Sequence, residues 1–162
     1  MEKGMLSEEA KKKITRSIEK YPTKKSAVMD ALRIVQAEKR ELVEEDMVEI
    51  AAMLEIEPVV VNASAAFYSM YRVEKPTGKY HIQVCRNLPC SLLGAEHIID
   101  HIAGRLGIKT GETTGDKVFT LSTVECLGSC GTAPMMQIND DYYEDLTTER
   151  VDRILEDLRK EA

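Results

Sequence analysis

The chain has 162 residues, 43% of them hydrophobic, which is enough to bury a core as one larger domain or two small ones. Its net charge of −6 argues against a nucleic-acid partner, because binding to phosphates needs a basic face. No apolar run approaches the roughly 18 residues of a transmembrane helix, so we expect no direct insertion into a membrane.

The first half of the chain has the apolar period of amphipathic helices. Ser7 is placed to cap the first helix, and the acidic pair that comes after it suits a first helical turn. The four predicted helices cover residues 7–21, 27–35, 47–54 and 59–71. Together they predict an all-α helical-bundle domain over residues 1–75.

The turn-rich stretch Glu74-Lys75-Pro76-Thr77-Gly78 predicts a domain boundary. Beyond it, alternating side chains predict a strand over residues 80–85, and further strand-like segments cover 117–125, 136–138 and 142–143. Helical spacing predicts one helix from Leu92 to Leu106 with Gly107 at its end, and a last helix capped by Thr147 or Thr148. This order predicts an α/β domain over residues 79–162.

The cysteines form two close pairs within this second domain, Cys85 with Cys90 and Cys126 with Cys130, and they are all the cysteines of the chain. Two such pairs can close a four-sulfur site around a metal or a cluster. Two disulfides would need an oxidising compartment, whereas the first residues carry no export signal and predict a cytoplasmic protein. Neither spacing is the Cys-x-x-Cys of a thioredoxin-type redox pair. Buried thiols acting only as small apolar residues are the simplest alternative.

Two alternative kinds of metal site are compatible with the residues alone, a zinc ion and an iron–sulfur cluster. Zinc knuckles usually take two Cys-x2-Cys pairs, and both spacings here are wider. A [2Fe–2S] cluster spreads four thiolates over two irons, which suits wider spacing. Gly128 and Gly131 can take positive φ and bring backbone N–H groups near sulfur, while Pro89 stiffens the first loop. The cluster is the leading interpretation, and a structural zinc site is the alternative.

Several stretches resemble one protein family. They are Tyr80-His81-Ile82-Gln83-Val84-Cys85, Val124-Glu125-Cys126-Leu127-Gly128-Ser129-Cys130, the segment from Ala133-Pro134 to Asp145-Leu146, and Ala65-Ala66-Phe67-Tyr68-Ser69-Met70-Tyr71. The family is the small thioredoxin-like [2Fe–2S] subunit of respiratory complex I, the NADH:quinone oxidoreductase, with related subunits in NAD-linked hydrogenases and formate dehydrogenases. The resemblance covers nearly the whole chain.

The resemblance implies a thioredoxin-like [2Fe–2S] ferredoxin domain preceded by the helical domain. The family's four cluster ligands map onto Cys85, Cys90, Cys126 and Cys130, with one cluster in the chain. The implied function is electron transfer with a flavoprotein subunit that binds FMN and NADH. The other implied partners are the iron–sulfur subunits of the same peripheral arm. The implied location is cytoplasmic and peripheral to the inner membrane, through the host complex. Part of the 59–71 surface is expected to dock the partner. Arg86 and its neighbours depart from the family pattern, which bears on the cluster potential.

Other motifs carry no function in this interpretation. His97 and His101 share a helix face, but Ile98 stands where a zinc-protease motif needs glutamate. No Gly-x-Gly-x-x-Gly comes after a strand, so we expect no nucleotide or flavin site on this chain and no NADH oxidation by the chain alone.

Overall fold

The computed structural model describes residues 6–68, 70–73 and 77–162. Contacts divide the chain into two compact units, Met1–Pro76 and Thr77–Ala162. The predicted domains over residues 1–75 and 79–162 stay a prediction, and residues 74–76 of the predicted boundary lie outside the described residues.

The first unit is built from helices. They are α1 (Glu8–Ile18), a 3₁₀ turn (Lys24–Ala27), α2 (Val28–Lys39), α3 (Glu44–Leu54) and α4 (Pro58–Phe67). Ser7 caps α1 as predicted, because its side chain accepts a hydrogen bond from the Ala10 N–H. Ala27, predicted as part of the second helix, lies in the 3₁₀ turn instead. The apolar faces of all four helices meet in one core, in which Ile14, Leu32 and Ile50 are fully buried.

Helix α4 ends at Phe67, so the prediction that it reaches Tyr71 is wrong. The chain turns extended at Tyr68, and tertiary contacts hold Met70, Tyr71 and Arg72. The Gln36 side chain donates to the Met70 carbonyl and accepts from the Arg72 N–H. Tyr71 is buried, and its hydroxyl donates to the Met29 carbonyl at 2.9 Å. Packing against α2 therefore overrides the helical pattern of this segment.

The second unit contains a four-stranded mixed sheet in the order β2-β1-β3-β4. Its strands are β1 (Tyr80–Cys85), β2 (Phe119–Val124), β3 (Met136–Ile138) and β4 (Asp141–Tyr143). β1 pairs with β2 in parallel and with β3 antiparallel, and β4 adds to β3 antiparallel. The alternation predicted for β1 is confirmed, with Tyr80, Ile82 and Val84 buried.

Two long helices pack against the sheet in this unit's core. Ile98 and Ile102 of α6 (Ala95–Leu106) and Val151 and Leu155 of α7 (Thr148–Lys160) pack with the buried strand residues. Gly107 ends α6 in the left-handed region and Thr147 caps α7, both as predicted. Helices packed on a mixed sheet confirm the α/β prediction.

The single helix predicted from Leu92 to Leu106 is two helices. A short α5 (Leu88–Leu92) ends before Gly94, whose φ of 94° lies in the left-handed region, and α6 starts at Ala95. Leu92, the first apolar residue of the predicted helix, is exposed. The prediction of one continuous helix, which was based on periodicity alone, is therefore wrong.

Gly78 lies against the backbone of the residues leading into β2. A Cβ at Gly78 would stand 2.7 Å from the Val118 carbonyl oxygen, and the Gly78 N–H donates to Thr120 Oγ1 at 2.7 Å. No side chain fits there, so glycine is required by close approach.

Candidate metal centre

Parallel pairing of β1 with β2 brings the two cysteine pairs to one end of the sheet. Cys85 is the last residue of β1 and lies opposite Val124, the last residue of β2. Cys126 comes two residues later, so it is at most about 7 Å of chain away from Val124. The second cysteine of each pair comes four or five positions later in the sequence. Cys90 lies in α5, and Cys130 begins the 3₁₀ turn Cys130–Thr132.

The first pair is buried. Cys85 and Cys90 pack with Ala95 and Met135 in a small apolar cluster of their own. Cys90 lies in α5, although the sequence predicted a loop there, and Asn87 caps this short helix. Burial raises the pKa of the Cys90 thiol, and a hydrogen bond and charge from Cys85 add to the rise, while a backbone hydrogen bond from Met135 opposes it. Without a bound cation, this thiol is therefore neutral at physiological pH.

The second pair is exposed. Gly128 takes a φ of 79°, as predicted, and its N–H donates to Cys126 Sγ at 3.4 Å. Gly131 was given the same role by the sequence, but its φ is not left-handed. The peptide bond between Ala133 and Pro134, whose isomer the sequence leaves open, is cis. The second pair is thus positioned by the course of its loop, not by burial.

All four thiols are free, and no cysteine is in a disulfide. Cys85 and Cys90 lie in one apolar cluster, and Cys130 is close enough to Cys90 to contribute to the rise of the Cys90 pKa. Within residues 6–68, 70–73 and 77–162, no three His, Cys, Asp or Glu side chains stand close enough to share one metal ion. The donor set still fits a [2Fe–2S] cluster, because four sulfurs lie at one sheet end and each iron of such a cluster takes only two of them.

A pair of opposite charges flanks the site. Arg86 directly follows Cys85, Glu125 directly precedes Cys126, and Arg86 Nε lies 3.6 Å from Glu125 Oε1. The Arg86 N–H also donates to the Val124 carbonyl. Both side chains are more than half exposed, so water screens their effect on a charge at the sulfurs.

The residues that hold the second loop were not predicted from the sequence. The Tyr142 hydroxyl donates to the Leu127 carbonyl at 2.9 Å. The Glu144 carboxylate accepts hydrogen bonds from the hydroxyls of Ser129 and Thr132. The only sequence signal was the Tyr142-Tyr143-Glu144 run within the stretch that resembles the family, and polar contacts over 12 to 15 positions have no periodicity.

His101, one of the two histidines on this face of α6, pairs with an acid of α7. His101 Nε2 lies 2.9 Å from Asp152 Oδ1, and Arg105 Nε lies 2.8 Å from the same oxygen. The hydrogen bond from His101, with the charge of Arg105, lowers the pKa of Asp152. His101 therefore ties α6 to α7.

Comparison with known proteins gives a consistent family. The model of the thioredoxin-like [2Fe–2S] ferredoxin family matches residues 14–159. An NADH-quinone oxidoreductase subunit of Rhizobium meliloti is 46% identical over 140 residues, covering 86% of this chain and 83% of the relative. A subunit of the same oxidoreductase from Thermus thermophilus is 46% identical over 143 residues, covering 86% of this chain and 78% of the relative.

A solved structure shares the fold. The NAD⁺-reducing [NiFe]-hydrogenase in its H₂-reduced state matches with a TM-score of 0.71 and 21% sequence identity. The match covers 81% of this chain but only 23% of the hydrogenase chain, so it supports the fold alone.

Proposed function

This chain belongs to the thioredoxin-like [2Fe–2S] ferredoxin family, and on that premise we propose that it is the electron-transfer subunit of an NADH:quinone oxidoreductase. Its relatives are subunits of that oxidoreductase, which makes it an NADH-dehydrogenase-type [2Fe–2S] subunit of a multi-subunit complex. The finer proposal is that its cluster exchanges electrons with the FMN of a partner flavoprotein, which also binds NADH.

Cys85, Cys90, Cys126 and Cys130 are the proposed cluster ligands. The single observation that supports this assignment is the β1–β2 register, in which Cys85 pairs with Val124, two residues before Cys126. The cluster, when bound, supplies the one-electron redox chemistry. The chain's own residues bury the first two sulfurs away from water and direct the N–H of Gly128 at Cys126.

Iron analysis tests the ligand assignment. We expect anaerobically purified protein to contain two irons and two sulfides per chain, and to show one [2Fe–2S] paramagnetic signal on reduction. Replacing any of the four cysteines by serine should abolish most of the iron. Stoichiometric zinc without iron would instead favour the alternative of a zinc-stapled structural adaptor.

Two exposed apolar surfaces are candidates for partner docking. In the first unit, Phe67, Tyr68 and Met70 are exposed, and the Phe67 and Tyr68 rings pack edge to face at 5.0 Å. Tyr71, which the sequence assigned to this surface, is buried and takes no part. In the second unit, Leu88, Leu92 and Leu93 of the α5 region are exposed beside Cys90. Exposed apolar residues in such groups mark interaction sites.

Affinity measurements test the docking proposal. Phe67→Ser and Leu92→Ser should each weaken binding to the purified flavoprotein by about tenfold, or ~1.4 kcal/mol. Val48→Ser is the matched control, since Val48 is an exposed valine on α3 outside both surfaces. Wild-type affinity in both variants would remove these surfaces from the interface. Co-purification identifies the host, with an NAD-linked hydrogenase or formate dehydrogenase as the alternatives to the quinone reductase.

The proposed location is peripheral to the inner membrane on the cytoplasmic side, reached through the host complex. Across the described part of the chain, no helix is both long and apolar enough to cross a membrane. Attachment through partner subunits is therefore the proposed route to the membrane. Release of the chain from membranes together with its flavoprotein, by treatments that leave integral proteins in place, is the expected result.

A further inference from the structure

The loop that carries Cys126 and Cys130 is fastened to the segment just after β4. The carboxylate of Glu144 accepts from the Ser129 hydroxyl and, at 2.6 Å, from the Thr132 hydroxyl. The two hydroxyl oxygens are themselves 2.9 Å apart. One carboxylate thus binds Ser129, the residue before the 3₁₀ turn of Cys130, and Thr132, the last residue of that turn.

Backbone hydrogen bonds continue this fastening in register. The Asp145 N–H donates to the Thr132 carbonyl at 2.8 Å, and the Leu146 N–H donates to the Pro134 carbonyl at 3.0 Å. The Glu144 contacts are the part of this connection that lies nearest to Cys130, because Ser129 directly precedes that residue.

The second pair of thiols needs such a fastening more than the first pair does. Cys85 and Cys90 are held by burial in an apolar cluster, whereas Cys126 and Cys130 are exposed. An exposed loop is normally mobile unless side chains restrain it. Hydrogen bonds to a charged acceptor are the stronger kind, so a single glutamate with two hydroxyl donors can restrain the turn.

From this geometry we propose that Glu144 is a positioning residue for the cluster: it holds the Cys126–Cys130 loop in place for ligation and keeps a negative charge beside Ser129, the residue before Cys130. The inference rests on the proposed function, because it takes these two cysteines as ligands. The hydroxyl donors, Ser129 first and then Thr132, also lower the pKa of Glu144, so the carboxylate is ionised at neutral pH.

Two substitutions distinguish the role of Glu144 in holding the loop from the effect of its charge. Glu144→Gln keeps an acceptor oxygen of the same shape but removes the charge, so the cluster should stay bound and its reduction potential should rise, since a nearby negative charge disfavours the reduced state. Glu144→Ala removes the acceptor as well, so iron release to a chelator should become at least tenfold faster than in the wild type.

A neighbouring acid is the matched control. Asp145→Asn removes one negative charge at the next position without touching the Ser129 and Thr132 contacts, and asparagine tolerates the positive φ of 47° found there. We expect a smaller rise in potential than in Glu144→Gln and an unchanged rate of iron release. A Thr132→Val variant should release iron faster while its potential stays close to the wild type's.

The outcomes distinguish this inference from the proposed function. If wild-type protein binds no iron, the proposed function fails. If the wild type binds its cluster but Glu144→Ala releases iron at the wild-type rate, Glu144 does not position the loop. If Glu144→Gln and Asp145→Asn raise the potential equally, Glu144 has no specific effect on the cluster. Should Glu144→Ala fail to assemble a cluster while Glu144→Gln assembles one, the positioning role is supported.

Discussion

The two halves of the proposed ligand set are held by different physical means. Cys85 ends the central strand β1, and Cys90 lies in a helix, both within an apolar cluster. Cys126 and Cys130 lie on an exposed loop that polar side chains of the β4 region hold in place. The first pair is therefore part of the folded core, and the second pair is attached to it.

This difference separates stability from ligation. A change at the first pair disturbs packing and should reduce stability even without the cluster. A change at the second pair leaves the core intact and should act on cluster binding and potential alone. Four predictions test this division, in order of decreasing effect.

The largest difference is expected between two serine substitutions. Both Cys90→Ser and Cys126→Ser should lose the cluster, but they should differ in the iron-free protein. Cys90→Ser places a hydroxyl in an apolar cluster and should lower the free energy of unfolding by about 1–3 kcal/mol. Cys126→Ser changes an exposed side chain and should stay within about 0.5 kcal/mol of the wild type. Urea unfolding followed by amide NMR signals of β1 measures both, and equal losses would contradict the division.

Removing one hydroxyl tests the attachment of the second loop. Tyr142→Phe deletes the hydrogen bond to the Leu127 carbonyl, worth about 1 kcal/mol, and should speed iron release to a chelator about fivefold. The control is Tyr143→Phe at the neighbouring position, where the ring packs against the core of the second unit. A similar rate in both variants would show that the Tyr142 hydroxyl does not restrain the loop.

The Arg86–Glu125 pair should tune the cluster in opposite directions. Arg86→Gln removes a cation and should lower the reduction potential, and Glu125→Gln removes an anion and should raise it. The pair is exposed, so we expect shifts of only ~20 mV, the equivalent of ~0.5 kcal/mol for a charge at ~8 Å in water. Redox titration monitored by the paramagnetic signal measures the shifts, and the same sign in both variants would refute a charge effect.

The smallest effect is a titration in the iron-free chain. Hydrogen bonds from Ser129 and Thr132 lower the pKa of Glu144 in the folded state below its ordinary 4.5. A lowered pKa contributes stability at pH values above the unfolded pKa, and that contribution is lost as the pH falls through the folded pKa. NMR should show Glu144 titrating below 4.5, returning toward it in the Ser129→Ala/Thr132→Val double variant. An unchanged midpoint in that variant would exclude the hydroxyls as the cause.

Sequence reasoning succeeded where local signals and packing agree. Alternation along β1 identified the strand that ends at Cys85, and Ser7, Gly107 and Thr147 were read correctly as helix ends. Each of these residues acts through its own backbone or its immediate neighbours. Local physics therefore determines what it does.

The predictions from sequence were wrong or missing where contacts with distant parts of the chain determine the local structure. The end of α4 depends on Gln36, more than thirty positions away, which satisfies the backbone at Met70 and Arg72. Leu92 has the spacing of a core residue, yet its side chain is exposed. Periodicity does not show whether another part of the unit packs over a residue. Glu144 lies among several acidic residues in the sequence, and none of them is distinguished by spacing. It gains a hydrogen-bond partner because the fold brings the segment after β4 next to Ser129.

The tight contact at Gly78 limits how the unit that carries the four cysteines could be cut from the chain. The Gly78 N–H is bonded to Thr120, and Lys79 and Tyr80 continue with hydrogen bonds to the Lys117 and Val118 carbonyls. A fragment starting at Lys79 would lose the first of these bonds and put a charged, hydrated terminus against the β2 backbone. A protease or a fusion junction is best placed before Thr77, where β1 keeps its anchored entry and Cys85, at the strand's far end, keeps its register.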